Sequence, residues 1–280
     1  MFRYIIQTCL PIKRVTPLFK LLIPLFALGL VPLSYACEQK IRISAAKDWP
    51  PYSYINNGGF SGLDIDIIEM ILSDINLCWE YVSFPSSSRA FQEFKKDNID
   101  LIFAASYTSP RRGFSEFSIA YRTEFMQLFS HQDFILADTM EKGKTKVIPK
   151  FLEKSITAIN RGSVYGAPFS KFKAQCPDCV VEMNASIARF RLLKYKRVNF
   201  VIEDLLTGAY LIKNSKEIEG HVKATRFNVR KDPVHYMLRP GMFSESKLQA
   251  FNLAIIKNKQ NIKKITDKYY QALDVAKPAI

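Results

Sequence analysis

Apolar and polar residues alternate over Ile41-Arg42-Ile43-Ser44-Ala45, the pattern of a strand with one buried face. Trp49-Pro50-Pro51-Tyr52 interrupts it, and Asn56-Asn57-Gly58-Gly59 has the composition of a turn. From Gly62 to Ile75 the residues Leu63, Ile67, Ile71 and Ile75 recur every four positions, which predicts a helix that buries one stripe. Cys78 to Phe84 reads as the next strand, Ala90, Phe91 and Phe94 as a short helix, and Ile99 to Ala105 as a buried strand with polar flanks. Strands alternating with helices in this way predict a parallel sheet.

A second series follows Tyr121. Phe125 to Phe129 is predicted as a strand, then Ile156 to Ile159 (strand), Ala167 to Lys173 (helix), Val180 to Met183 (strand), Ile187 to Leu193 (helix) and Asn199 to Glu203 (strand). The end differs, with a strand at Val234 to Leu238 and two helices around Glu245 to Lys257 and Asn261 to Leu273. Two similar α/β units without a low-complexity linker predict two lobes joined by a two-stranded hinge, with a cleft between them. The first lobe takes residues 37–123 plus 236–280 and the second 124–235.

The first 36 residues change the picture of where the chain works. Arg3, Lys13, Arg14 and Lys20 precede the apolar run Leu21 to Leu33, and Ser34-Tyr35-Ala36 offers small residues for cleavage, so 1–36 is predicted to be a signal peptide. The run is about 13 residues with two prolines, short of the roughly 20 that a bilayer crossing needs. Four basic residues and no acidic one leave with this leader, which lowers the net charge from +14 to +10. That excess suits anionic solutes, anionic surfaces or an acidic partner, and export makes nucleic acid an unsuitable one. Cys9 leaves too, and the even set Cys37, Cys78, Cys176 and Cys179 in an oxidising compartment points to disulfides. Three pairings are open; the closeness of Cys176 and Cys179 favours that bond and leaves Cys37 for Cys78. A rival role for Cys37 is lipidation after cleavage, against which Ser34 stands where that signal usually has leucine. The expected site of action is therefore the periplasm.

Chemistry concentrates in the stretch from Asp100 to Tyr121. A strand ending in small and hydroxyl residues, Ser106 and Thr108, leads into a loop, and Arg111 three residues on can clamp a carboxylate with two parallel hydrogen bonds. Elsewhere the signals are weak. Cys176-Pro177-Asp178-Cys179 has redox spacing but falls between a helix and a strand, so a structural bond is favoured. Histidines 131, 221 and 235 are scattered without metal spacing, and no nucleophile elbow or phosphate loop is present. Lys257, Lys259, Lys263, Lys264 and Lys268 form a basic cluster that reads as a solvated face.

Thr108, Arg111, Phe117, Ser118 and Tyr121 together fit Thr-x-x-Arg followed by Phe-Ser-x-x-Tyr, and Trp49-Pro50-Pro51-Tyr52-Ser53-Tyr54 and Gly62-Leu63-Asp64-Ile65-Asp66 supply two further blocks. In these three ordered blocks the chain resembles the extracellular solute-binding proteins, family 3, which serve polar amino acid ABC importers. The resemblance implies an α/β, type II periplasmic binding protein-like fold and a monomer that closes on a small polar, carboxylate-bearing solute for an ABC importer, without cofactor, metal or catalysis. It implies that Arg111, with Ser106 and Thr108, holds a carboxylate; that Gly162 and Ser163, in Arg161-Gly162-Ser163, donate further hydrogen bonds; that Asp204 meets an amine; and that Trp49 is one aromatic wall. Ser87 departs from the pattern, standing where some relatives have an aromatic, which loosens the expectation of an ordinary amino acid and leaves room for a more acidic or sugar-like solute. Arg89 beside it is a second candidate cation. Asn199 replaces a frequent aspartate and reads as structural. Two rival functions remain: an enzyme on this fold, a cyclic-acid dehydratase with Glu203 or Asp204 as acid or base, and a sensory or accessory binder with no transporter.

Overall fold

A computed structural model describes residues 40–135 and 151–278. The alternating segment at its start is β1 (Lys40–Ser44), and the interrupted stretch after it makes a small antiparallel sheet of β2 (Asp48–Trp49), β3 (Ser53–Asn56) and β4 (Gly59–Ser61). Then come α1 (Leu63–Asp74), β5 (Cys78–Val82), α2 (Ser87–Phe94), β6 (Leu101–Ser106), α3 (Ser109–Arg112), β7 (Glu116–Phe117) and the long β8 (Arg122–His131). The second series is β9 (Thr157–Asn160), α4 (Ala167–Gln175), β10 (Val180–Met183), α5 (Ser186–Lys194), β11 (Phe200–Asp204) and α6 (Leu205–Asn214). A longer strand, β12 (Val222–Leu238), and the helices α7 (Glu245–Lys257) and α8 (Lys259–Ala272) end the described chain.

The main sheet runs in the order β10-β9-β11-β8-β12-β6-β1-β5, with β7 pairing β12 off this path. Within each series the predicted parallel pairing holds: β1 is parallel to β5 and β6, and β9 to β10 and β11. The sheet as a whole is mixed, because β8 is antiparallel to β11 and β12, and β12 is antiparallel to β6. The cause is directional: β8 carries the chain from one series into the other and β12 carries it back, so the two crossing strands oppose each other.

Burial follows the predicted periodicity. In α1, Leu63, Ile67 and Ile71 are fully buried and Ile75 packs at the edge of the same core, which also holds Ile43 and Leu101 from the sheet and Phe251 and Tyr270 from α7 and α8. Each such side chain contributes about 1.5–3 kcal/mol on leaving water. The opposite face of this half is covered by Phe94 of α2 with Ile99, Ala105 and Met237. In the other half, Phe169 and Phe172 of α4 pack on one core and Phe190 and Leu193 of α5 on another. Cys176 and Cys179 are joined in a disulfide between α4 and β10, as the spacing favoured. Cys37 lies outside the described residues, as does the predicted leader 1–36. No helix of the described residues is long and apolar enough to cross a membrane.

Candidate functional site

Where β8 and β12 cross between the two halves, a cavity of about 650 Å³ opens, lined from both sides. One wall comes from β1, the loop after β5, α2, β6 and α3; the other from the ends of β9 and β11 and the starts of α5 and α6. Trp49, Ser106, Arg111, Gly162, Ser163 and Asp204 all line it, so six of the eight candidate ligand residues are brought together from distant parts of the chain.

Arg111 reaches the cavity because a kink delivers it. Ala104 has φ +54°, a region costly for a residue with a side chain, and the pairing of β12 with β6 shifts register between His235 and Met237 nearby. Tyr121 holds the kink by its hydroxyl, which accepts the Ala104 N–H at 3.0 Å and donates to Asp64 at 2.8 Å. Beyond the kink, Thr108 caps α3, its Oγ1 accepting the Arg111 N–H at 3.3 Å. Thr108 therefore sets the start of the helix that carries Arg111 and, unlike the expected ligand contact, stands outside the cavity lining. The Arg111 guanidinium donates to the Ser106 carbonyl at 3.0 Å and lies 4.5 Å over the Phe91 ring. Among the described residues it forms no ion pair. Burial and the neighbouring Arg230 pull its pKa down from the usual arginine value, while Glu124 opposes them.

Arg89 is also placed differently from expectation. Its side chain is half exposed and pairs with Glu93 one turn along α2, at 2.8 Å, outside the cavity lining. The reason is helical geometry: residues four apart share a face, and Glu93 captures the guanidinium. Ser87 does line the cavity in place of an aromatic, but Phe84 and Phe91 line it too, so apolar wall is supplied from the same segment at other positions. Trp49 completes that wall, stacked nearly parallel to Phe103 at 6.4 Å and tilted against Tyr52 at 4.7 Å.

On the opposite side, Gly162 has φ +81°, and a Cβ there would come 3.3 Å from Ser88 Oγ across the mouth, which explains glycine at this turn. Ser163 Oγ accepts a hydrogen bond from Asn160 Nδ2 at 2.7 Å. Asp204 ends β11 and caps α6, its Oδ1 accepting the N–H groups of Leu206 at 2.9 Å and Thr207 at 3.0 Å. Burial raises its pKa to about 6, with Arg122 and the Thr207 N–H pulling the other way. Asn199 is structural, as read: its Oδ1 accepts the Ile156 N–H at 2.8 Å.

Several charged groups in or behind the lining carried no motif. Glu203 is held on both oxygens, by the buried Arg189 and by the Asp204 N–H at 3.1 Å, and so fixes the end of β11. Arg122, next to the motif tyrosine, makes a buried two-bond pair with Asp64 at 2.7 Å on both arms, and so anchors α1 to the crossing strand. Glu124, two residues on, lines the cavity floor. Strand alternation could have pointed to Arg122 and Glu124 as alternate positions of β8, but a charged residue in a strand ordinarily reads as its solvent face.

No curated protein sequence matches the chain. Among solved structures, a histidine kinase sensor domain with similarity to periplasmic binding proteins superposes with TM-score 0.69 at 16% identity, over 82% of this chain and 96% of that one. An ancestral arginine-binding protein bound to glutamine gives TM-score 0.66 at 18% identity, over 82% and 97%. The arginine-, lysine-, histidine-binding protein ArtJ from Geobacillus stearothermophilus gives 0.66 at 14%, over 83% and 96%. The fold is thus α/β and type II periplasmic binding protein-like. Residues 41–272 match the family of bacterial extracellular solute-binding proteins, family 3, and the chain belongs to that family.

Proposed function

We propose that this solute-binding protein works in the periplasm, capturing a small polar solute that bears a carboxylate, an amino acid or a similar molecule, and handing it to an ABC importer. The observation that carries the reading is Arg111: a guanidinium directed into the cavity with no ion pair among the described residues, facing Asp204 on the opposite wall. A carboxylate at the cationic end and an amine at the anionic end match that division of charge. In this reading residues 37–123 plus 236–280 are one lobe, 124–235 the other, and β8 and β12 the hinge. Solute bridging Arg111 and Asp204 stabilises the closed form by the difference between its contacts in the closed and open states. Ser106, Gly162, Ser163 and Trp49 complete the contacts, and Arg89 and Thr108 act outside them.

Titration calorimetry of the purified protein against the standard L-amino acids tests this. Arg111→Ala is expected to weaken binding of the best member by about 30-fold or more, the usual loss when one partner of a buried charge pair is removed. Equal affinity in wild type and variant would remove Arg111 from the site. Co-purification with membrane-permease subunits tests the importer.

A further inference from the structure

Glu124 is a buried charged group of the cavity that the reading above leaves without a task. It lies on β8, is only 8% exposed, and faces the cavity floor with Met126 two residues on. Among the described residues it accepts no hydrogen bond and makes no ion pair. The charges around it are Asp204 at the end of β11, Arg122 on its own strand, Arg230 on β12, Asp64 on α1 and Arg111 on α3. Two of those cations are already engaged, Arg122 with Asp64 and Arg230 with Asp232. Thr207 is a second unanswered group: it lines the same cavity, is 1% exposed, and its Oγ1 has no hydrogen-bond partner.

A primary ammonium has three N–H donors. The anionic side of the cavity offers three acceptors, the Glu124 and Asp204 carboxylates and the Thr207 hydroxyl. We propose that Glu124 is a specificity-determining residue, the second carboxylate of an ammonium pocket, so that this cavity selects solutes with a primary ammonium and takes them up with loss of a proton from Glu124. The proposal deepens the reading of the cavity as a site for a carboxylate- and amine-bearing solute and rests on it. Burial, then Asp204, pushes the Glu124 pKa up to about 8, so the empty site holds Glu124 mainly neutral at pH 7. An ammonium beside it favours the ionised form, and the displaced proton goes to buffer.

The test uses the purified full chain, the best-binding standard L-amino acid, and the α-hydroxy acid that replaces its ammonium by a hydroxyl. Calorimetry at pH 7 in buffers of different ionisation enthalpy is expected to give release of close to one proton per amino acid bound by wild type. In Glu124→Gln the amino acid should bind about tenfold to a hundredfold more weakly, the loss of a charge-assisted hydrogen bond, and without proton release. The hydroxy acid should change less than about threefold on the same scale. Amino acid binding at wild-type strength in the variant, or equal losses for both probes, overturns the proposal. If the variant does not fold, the wild-type measurement decides: heats independent of the buffer overturn it. Loss of binding in Arg111→Ala but not in Glu124→Gln would sink only the Glu124 assignment; failure of every amino acid to bind wild type would sink the underlying reading and this with it.

Discussion

At the scale of single residues, the cavity trades stability for readiness. Glu124 and Asp204 have folded-state pKa values raised to about 8 and about 6, above the ordinary carboxylate range they regain on unfolding. Between those limits the folded chain binds more protons than the unfolded one, so stability is greatest on the acid side and falls as pH rises through each value. Thermal melts of solute-free protein should therefore drop between about pH 5 and 8, and Glu124→Gln should flatten the upper part of that slope. A variant with the same slope as wild type would refute the buried-carboxyl account. Arg111 was legible because a hydroxyl residue, a three-residue gap and an arginine form a recognisable block. Glu124 was not, since one acid in the apolar strand Phe125 to Phe129 region reads as an exposed edge until the crossing of two strands places it inside.

Elements show a different limit on what sequence reveals. Periodicity located α1, α7 and β10 with boundaries within a residue or two, because their apolar positions repeat cleanly. It missed α6 and most of β12. In β12, Pro233 and the charged run before it look like a loop, yet Pro233 pairs with Thr123 of β8 and the strand continues to Leu238. In α6, Gly208 breaks the helical pattern. The reason is contact: a Cβ at Gly208 would fall 2.1 Å from the Phe129 ring, so glycine lets the helix lie against β8. This decides the sign of a substitution. Gly208→Ala would gain about 1 kcal/mol in helix propensity, but overpacking a buried aromatic costs about 1–3 kcal/mol. Net destabilisation in urea melts is the expected outcome, and a stabilised variant would contradict the packing.

For the whole molecule, one side chain joins the two halves across the cavity. Arg230 on β12 donates to Ser106 Oγ at 3.2 Å on one wall and to the Val164 carbonyl at 2.6 Å on the other. Any widening of the cleft must separate those partners. Arg230→Ala is expected to raise the radius of gyration of the solute-free protein in small-angle scattering and to weaken solute binding about three- to tenfold, the worth of one or two hydrogen bonds moved from the closed state. Unchanged scattering and affinity would mean that the Arg230 contacts do not hold the halves together, leaving that role to the strands and to contacts such as Lys213 with Asp274. The mixed sheet has the same origin in scale: local pattern specifies strands and helices, whereas the antiparallel crossing depends on where the chain changes halves, which no short window contains.

Trp49 gives the cavity an optical consequence. The chain has two tryptophans, and only Trp49 lines the cavity, while Trp79 packs at the edge of the core on β5. A solute that displaces water from the Trp49 indole face changes the polarity around one of two emitters. Intrinsic fluorescence should therefore shift on occupancy without any label, and Trp49→Phe should silence the signal while Trp79→Phe leaves it nearly alone. The wall of the site doubles as its own gauge, readable in any screen that can see ultraviolet light.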